Sequence, residues 1–244
     1  MICKLCGNDR PLIAAHIVPI CITKVLLDPS GPMKLISKEP DIYPLKFPKG
    51  EYDKNILCGD CDGSFAGWDE YARDLLFDNF ESTYPLIKGA NASKLVPGHY
   101  SIPTFDYNAL KLFFLSILWR AEVSSRISCR RVNLGPYEIK IRNMLSSGML
   151  GIPEEFPVHI SRYIDDEGRG TMFSPHRQRT LGVNFYNVFL PGYLAVIKVD
   201  AKPLPAPLNA LYLQLGKPLI IGARDLRFSP EYKAFREIII KNSR

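Results

Sequence analysis

Two Cys-x-x-Cys pairs decide how the first part of this chain folds: Cys3-Lys4-Leu5-Cys6 and Cys58-Gly59-Asp60-Cys61. Each pair places two thiolates on one tight turn, and two such turns supply the four soft ligands of a tetrahedral Zn²⁺. Glycine follows Cys6 and also stands inside the second pair, where the turn favours a residue that tolerates a positive φ. Four reduced cysteines without a metal are the alternative, but a chain with six cysteines rarely contains two such pairs by chance. The sequence therefore predicts one structural zinc site with four ligands, Cys3, Cys6, Cys58 and Cys61.

The 51 residues between Cys6 and Cys58 make an unusually long connection for a zinc finger. The stretch is rich in proline, with Pro29, Pro32, Pro40, Pro44 and Pro48. Because proline breaks helices and sheet ladders, we expect residues 21–51 to form an inserted loop with short extended pieces.

The bulk composition is that of an ordinary globular protein. Of 244 residues, 46% are hydrophobic and 23% are charged. No apolar run is long and unbroken enough to predict a membrane span. The first Cys pair begins at residue 3, which leaves no room for a signal peptide, and thiolate ligands need reducing conditions. We therefore expect a cytoplasmic protein without a membrane partner.

Positive charge is concentrated in the second part of the chain. Residues 1–100 carry 11 Lys and Arg against 13 Asp and Glu, whereas residues 101–244 carry 20 against 12. Two arginine clusters stand out there, one near the end of a predicted helix and one before a predicted strand: Arg120, Arg126, Arg130 and Arg131, and then Arg177 and Arg179. They could follow a nucleic-acid backbone, although cations at a helix C-terminus and simple solubility explain such charges equally well.

Hydrophobic periodicity predicts helices over 65–80, 107–124 and 136–146, and a last helix starting at Ser229-Pro230. The second helix is apolar nearly all round and should be buried. Five strands are predicted: 158–163, 181–189, 194–199, 211–215 and 219–223. The expected fold class is α+β, with a zinc module at 1–87 followed by a mixed α+β domain with antiparallel strands at 105–244. That second domain would position substrate or bind a protein partner.

Two further segments frame the cysteine pairs. Ala15-His16-Ile17-Val18-Pro19 lies between the pairs, and Asp53-Lys54-Asn55-Ile56-Leu57 runs directly into the second pair. Together with the cysteines, these segments resemble the HNH endonucleases of the zinc-knuckle type. The resemblance covers residues 1–80 and says nothing of residues 100–244.

The resemblance implies a treble-clef or ββα-metal fold and metal-dependent hydrolysis of phosphodiester bonds, most often in DNA, with RNA as the other possible substrate. His16 falls on the general base, Asp62 on a position facing a catalytic Mg²⁺ or Mn²⁺, and Asn55 on the residue that orients the histidine. Asp53 could add a second carboxylate to the catalytic metal, since hard ions prefer oxygen ligands. Small members of this family occur in mobile elements and in antiphage defence.

Ala15 stands where the family has an aspartate or histidine ligand. Asn55 lies three residues before Cys58, whereas the family's asparagine more often lies five before, a position held here by Asp53. A second hypothesis is therefore a catalytically inactive four-cysteine zinc module that acts in nucleic-acid or protein binding.

Overall fold

The computed structural model describes residues 1–24, 33–36, 45–47, 50–89, 92–169, 172–204, 206–230 and 232–233. The strands are β1 (Ala15–His16), β2 (Met33–Ile36), β3 (Leu45–Phe47), β4 (Tyr52–Asp53), β5 (Ile87–Lys88), β6 (Gly98–Ile102), β7 (Val158–Tyr163), β8 (Met172–Phe173), β9 (His176–Thr180), β10 (Val183–Leu190), β11 (Tyr193–Lys198) and β12 (Leu219–Arg224). The α-helices are α1 (Ile20–Thr23), α2 (Gly59–Gly63), α3 (Ala66–Leu76), α4 (Phe80–Thr83), α5 (Tyr107–Val123), α6 (Tyr137–Ser147) and α7 (Asp166–Arg169). The fold is mixed α+β, as predicted.

Seven strands form the main sheet, in the order β5-β6-β12-β7-β11-β10-β9. Its neighbours pair antiparallel except β12 and β7, which are parallel. A tight hairpin turn at Pro191-Gly192 joins two of the predicted strands, with β10 and β11 paired on either side and Gly192 at φ 73°. Two smaller sheets, β1-β4 and β3-β2-β8, contain the strands between the cysteine pairs.

Helix α5 is the buried centre of the molecule, as its apolar sequence predicts. It begins where the Asp106 side chain accepts a hydrogen bond from Ala109 N at 2.9 Å, which caps the first turn. Thirteen of its 17 residues are buried, and it packs against α3, α6 and β10. Because α3 follows the second cysteine pair, α5 connects the zinc module to the main sheet.

The principal core includes residues from both predicted domains, from Cys3 to Ala223. Polar contacts cross the same boundary, since Arg142 of α6 donates from Nε to the carbonyl oxygen of Leu5 at 2.8 Å. The predicted boundary between a domain at 1–87 and a domain at 105–244 stays a prediction. Among the described residues, side chains from both sides of this boundary pack into the same core.

Several predicted elements differ from the structure. The predicted strand 211–215 is wrong, because a 3₁₀ helix (Ala206–Leu211) and a bend occupy this region. The predicted helix 65–80 is interrupted at Asn79, which has φ 54°, so that α3 and α4 are separate. Strand β6 is not among the five predicted strands. Most of the predicted last helix lies outside the described residues, although Ser229 Oγ accepts a hydrogen bond from Tyr232 N as an N-cap should.

None of the described helices has the length and hydropathy needed to span a bilayer.

Candidate functional site

The four predicted zinc ligands come together in space. The sulfur atoms of Cys3, Cys6, Cys58 and Cys61 all lie within 4.8 Å of one another. A tetrahedral zinc with Zn–S bonds of about 2.3 Å needs sulfurs roughly 3.8 Å apart, so a small contraction would complete the site. The cysteines thus form a cluster that is close enough to bind a metal ion.

Local backbone geometry holds the two pairs in register. Gly7 adopts φ 73° after the first pair and donates its N–H to Cys3 O at 2.9 Å, which closes that turn. The second pair is built differently, because Cys58 immediately precedes α2 and Gly59 has no positive φ. The expectation for the first glycine is therefore confirmed, and the one for Gly59 is wrong.

The cysteine cluster has the electrostatics of a cation site. Burial alone would raise the pKa of Cys3, but backbone N–H groups of Cys58, Cys6 and Leu5 lower it to about 6. Cys58 N lies 3.4 Å from the Cys3 sulfur. Burial and the neighbouring sulfurs raise the pKa of Cys61 far above its usual range. One thiol thus keeps its proton among its neighbours, and a bound dication would favour four thiolates.

His16 lies beside this cluster on β1, half-buried, and pairs with Tyr52 of β4. The two rings meet edge to face, with centroids 5.9 Å apart. Gly50 closes the other side of the imidazole. Its φ is 75°, and a Cβ there would lie only 3.3 Å from His16 Cδ2. Gly50 is therefore part of the site that sequence reasoning missed.

Asp62 lies on α2, within range of the charge of His16. Its role facing a catalytic metal stays a prediction. Burial raises the pKa of this half-buried carboxyl, against the opposing pull of the positive charges of Arg120 and His16. The strand pair β1-β4 and the helix that starts at the second cysteine pair thus bring a histidine and a carboxylate together.

Arg120 of α5 joins the backbone of His16 to Asp69 of α3. Its guanidinium is 2% exposed and donates to the carbonyl oxygen of His16 at 3.0 Å and to Asp69 Oδ1 at 3.4 Å. It also lies over the ring of Phe65, 5.3 Å from its centroid. Grouping Arg120 with the basic cluster was therefore wrong, because this cation is buried inside the site. In the sequence, its position within an apolar helix is the feature that indicates burial.

Asp53 does not join His16. Neighbouring residues of a strand point to opposite faces, so Asp53 shares a face with Ala15, and His16 shares the other with Tyr52. The Asp53 carboxylate accepts hydrogen bonds from the backbone N–H groups of Asn55 and Ser125, at 2.9 and 2.8 Å, and from two serine hydroxyls at the end of α5. Burial alone would raise the pKa of Asp53, but these hydrogen bonds lower it. In this structure the carboxylate joins β4 to α5.

Asn55 follows β4 and has an exposed side chain. The contact described for it is the hydrogen bond from its backbone N–H to Asp53. Its role in orienting His16 stays a prediction.

The predicted arginine clusters belong to one strip, defined here as Arg126, Arg130, Arg131, Arg177 and Arg179. Four of the five are exposed. Arg126 is half-buried, because its guanidinium lies over the Tyr52 ring and donates to Tyr52 O at 2.6 Å.

Contacts between the two ends of this arginine strip show that they are neighbours. Asn133, two residues beyond Arg131, donates its N–H to the Tyr186 hydroxyl at 3.2 Å. Tyr186 lies directly opposite Arg177 on β9, the outermost strand of the main sheet. The strip therefore runs from the His16–Tyr52 face to the edge of the sheet.

No protein-family model, no curated protein and no solved structure matches this chain.

Proposed function

We propose that this protein is a metal-dependent endonuclease of the zinc-knuckle HNH type, built on a ββα-metal unit and acting on DNA, with RNA as the alternative substrate. One observation carries the proposal. His16 lies on the antiparallel pair β1-β4, and Asp62 lies within range of its charge on α2, which begins at the second cysteine pair.

In the proposed reaction, His16 accepts a proton from the water that attacks phosphorus, the P–O bond to the leaving sugar oxygen breaks, and that oxygen takes a proton from solvent. Asp62 would hold Mg²⁺ or Mn²⁺ through its carboxylate, and the ion would neutralise charge on the phosphate. A zinc ion held by the four cysteines would have a structural role, keeping β1 and α2 in register. Arg120 fixes the backbone of His16, so that the imidazole is presented from a rigid support.

The arginine strip supports a nucleic-acid partner. Exposed guanidinium groups bind phosphates without reading sequence, and this strip starts at the Tyr52 ring beside His16. A backbone held along it would reach the proposed general base. The thiolate-rich site fits a reducing compartment, and we place the protein in the cytoplasm.

Cleavage of plasmid, linear DNA and single-stranded RNA with Mg²⁺, Mn²⁺ or EDTA tests the proposal. We expect cleavage that requires the divalent ion and falls at least about 100-fold in His16→Ala, the usual scale of general-base catalysis. His99→Ala is the matched control, because His99 is another half-buried histidine, on β6 in the main sheet. Equal cleavage by wild type and His16→Ala would refute the assignment.

A second candidate function is the catalytically inactive zinc module that binds nucleic acid or protein. The observation that favours it is the position of Asp53, whose carboxylate is occupied by hydrogen bonds on the face opposite His16. Ala15 is fully buried beside it and offers no ligand. Metal analysis separates the two functions, since the enzyme needs a second, exchangeable divalent site that Asp62→Ala removes.

A further inference from the structure

A cavity of about 940 Å³ lies beside the main sheet and shares no residue with the candidate active site. Its walls come from the start of α6, from residues 152–157, and from the chain that leaves β11. Cavities of this size hold small organic molecules in other proteins. Neither the resemblance nor the zinc site accounts for it.

One wall of the cavity is aromatic. Tyr137 and Phe156 meet edge to face with centroids 6.1 Å apart, and Tyr212 is 9% exposed. Phe156 has φ 48°, a conformation that bulky residues adopt rarely and that costs free energy. The backbone is thus strained at a residue that lines the cavity, as is common at binding sites.

A buried cation faces the same space. Lys198, at the end of β11, lines the cavity and is 4% exposed. The acceptor described for its ammonium group is the backbone carbonyl of Asp200, at 2.5 Å from Nζ. The ammonium has three N–H donors, so two remain for a ligand.

The nearest carboxylate is engaged elsewhere. Asp200 accepts hydrogen bonds from the backbone N–H groups of Asn184, at 3.1 Å, and Lys202, at 2.8 Å. Among the described residues, no carboxylate lies within ion-pair distance of Lys198. The charge of Asp200 acts on Lys198 without a direct ion pair, and an anion in the cavity would give this buried ammonium a partner in contact.

The lining holds four lysines and three carboxylates. Lys217 and Glu154 are both exposed there, and Glu155 is already paired with Lys140 at 2.9 Å. Burial raises the pKa of Tyr212 to about 12, so its hydroxyl remains a donor at neutral pH.

We propose that this cavity binds a small organic anion that carries a flat ring, with the anionic group on Lys198 and the ring against Tyr212 and Phe156. Ring-bearing phosphates and ring-bearing carboxylates share this chemistry. The site is separate from the candidate active site, so the inference does not depend on the proposed function.

Calorimetric titration of the whole protein tests the site with four probes: adenosine monophosphate, naphthoate, adenosine and inorganic phosphate. We expect at least one ring-bearing anion to saturate with a Kd below about 1 mM. Tighter binding of adenosine monophosphate would identify the anionic group as a phosphate, and tighter binding of naphthoate would identify it as a carboxylate. Adenosine lacks the anionic group and inorganic phosphate lacks the ring, so each should bind at least about tenfold more weakly.

Lys198→Met keeps the length of the side chain and removes the charge, and it should weaken binding about tenfold or more. Lys88→Met, on β5 and away from the cavity, should leave binding unchanged. If Lys198→Met does not fold, Lys217→Glu tests the proposal instead. Lys217 is exposed, so this substitution reverses a charge at the rim of the cavity without disturbing the core. Absence of saturation by both ring-bearing anions, or unchanged affinity in the cavity variants, overturns the proposal.

Discussion

Asp69 is the residue whose protonation should affect stability most clearly near neutral pH. It lies on α3, beneath His16, and its side chain is only 14% exposed. Burial raises the pKa of Asp69 to about 6, against the attraction of Arg120. A carboxyl in this range changes charge under ordinary assay conditions, and its partner Arg120 holds the backbone of His16.

We predict that Asp69 makes the folded state less stable as pH rises from 5 to 7. The folded pKa lies above the usual value of 3.8, so the folded state holds a proton that the unfolded state has already lost. That advantage is present at low pH and disappears as pH passes about 6. The unfolding free energy of the wild type, relative to Asp69→Asn, should fall by about 1 kcal/mol between pH 5 and pH 7.

Urea denaturation at several pH values measures this difference, and any loss of metal at low pH affects both proteins. Asp74→Asn is the control, since Asp74 lies on the same helix but is 60% exposed. An equal pH dependence in wild type and Asp69→Asn would contradict the assigned pKa.

The cysteine ligands could be predicted from the sequence, because two Cys-x-x-Cys pairs are typical of a metal site with four thiolate ligands. It could not reveal Gly50, whose role is to leave room for the imidazole of His16, a residue 34 positions earlier. Arg120 was misread for the same reason. Composition shows that an arginine is present, but only the packing of α5 against α3 shows that it is buried.

At the scale of elements, α5 could be predicted almost to the residue, because an unbroken apolar face and an aspartate at its start are local signals. Strand β9 could not, because its sequence His176-Arg177-Gln178-Arg179 is polar and resembles a loop. It is a strand because β10 offers it an open edge to pair with. The predicted strand at 211–215 is wrong for the opposite reason. Tyr212 and Leu213 pack into the cores without joining a ladder, and Leu211 and Leu215 are exposed.

Helix α5 gives the prediction at this scale. Asp106→Ala removes the side-chain acceptor for Ala109 N and should lower the unfolding free energy by about 1 kcal/mol. Asp106→Ser should retain most of the stability, because serine is also a good N-cap. Thermal and urea unfolding of the three proteins provide the measurement, and equal stability of the alanine and serine variants would mean that the cap contributes nothing.

At the scale of the whole molecule, the zinc module and the main sheet share one core. Asp53 is bonded to the end of α5, and the first cysteine pair is bonded to α6 through Leu5 and Arg142. Loss of the metal should therefore affect more than the first 87 residues.

We predict one zinc per chain and a single unfolding transition that a strong chelator shifts to lower temperature, because metal binding contributes directly to folding. Cys58→Ser should lose the zinc and unfold at a lower temperature. Cys21→Ser should keep the zinc, since Cys21 is outside the cluster. Metal analysis and calorimetry test this, and two transitions of which only the first responds to chelation would show that the halves fold independently.

The order of strands in the main sheet has a consequence for synthesis on the ribosome. Strand β12 lies between β6 and β7, although it is the last of the seven to be made. Strand β6 can pair with β5 at once, but its other edge must wait for β12, which leaves the ribosome more than a hundred residues later. At about 5–20 residues per second, that delay is on the order of ten seconds. A chain that stops before β12 lacks the middle of its main sheet, so residues up to Arg224 must be made before any copy can complete that sheet.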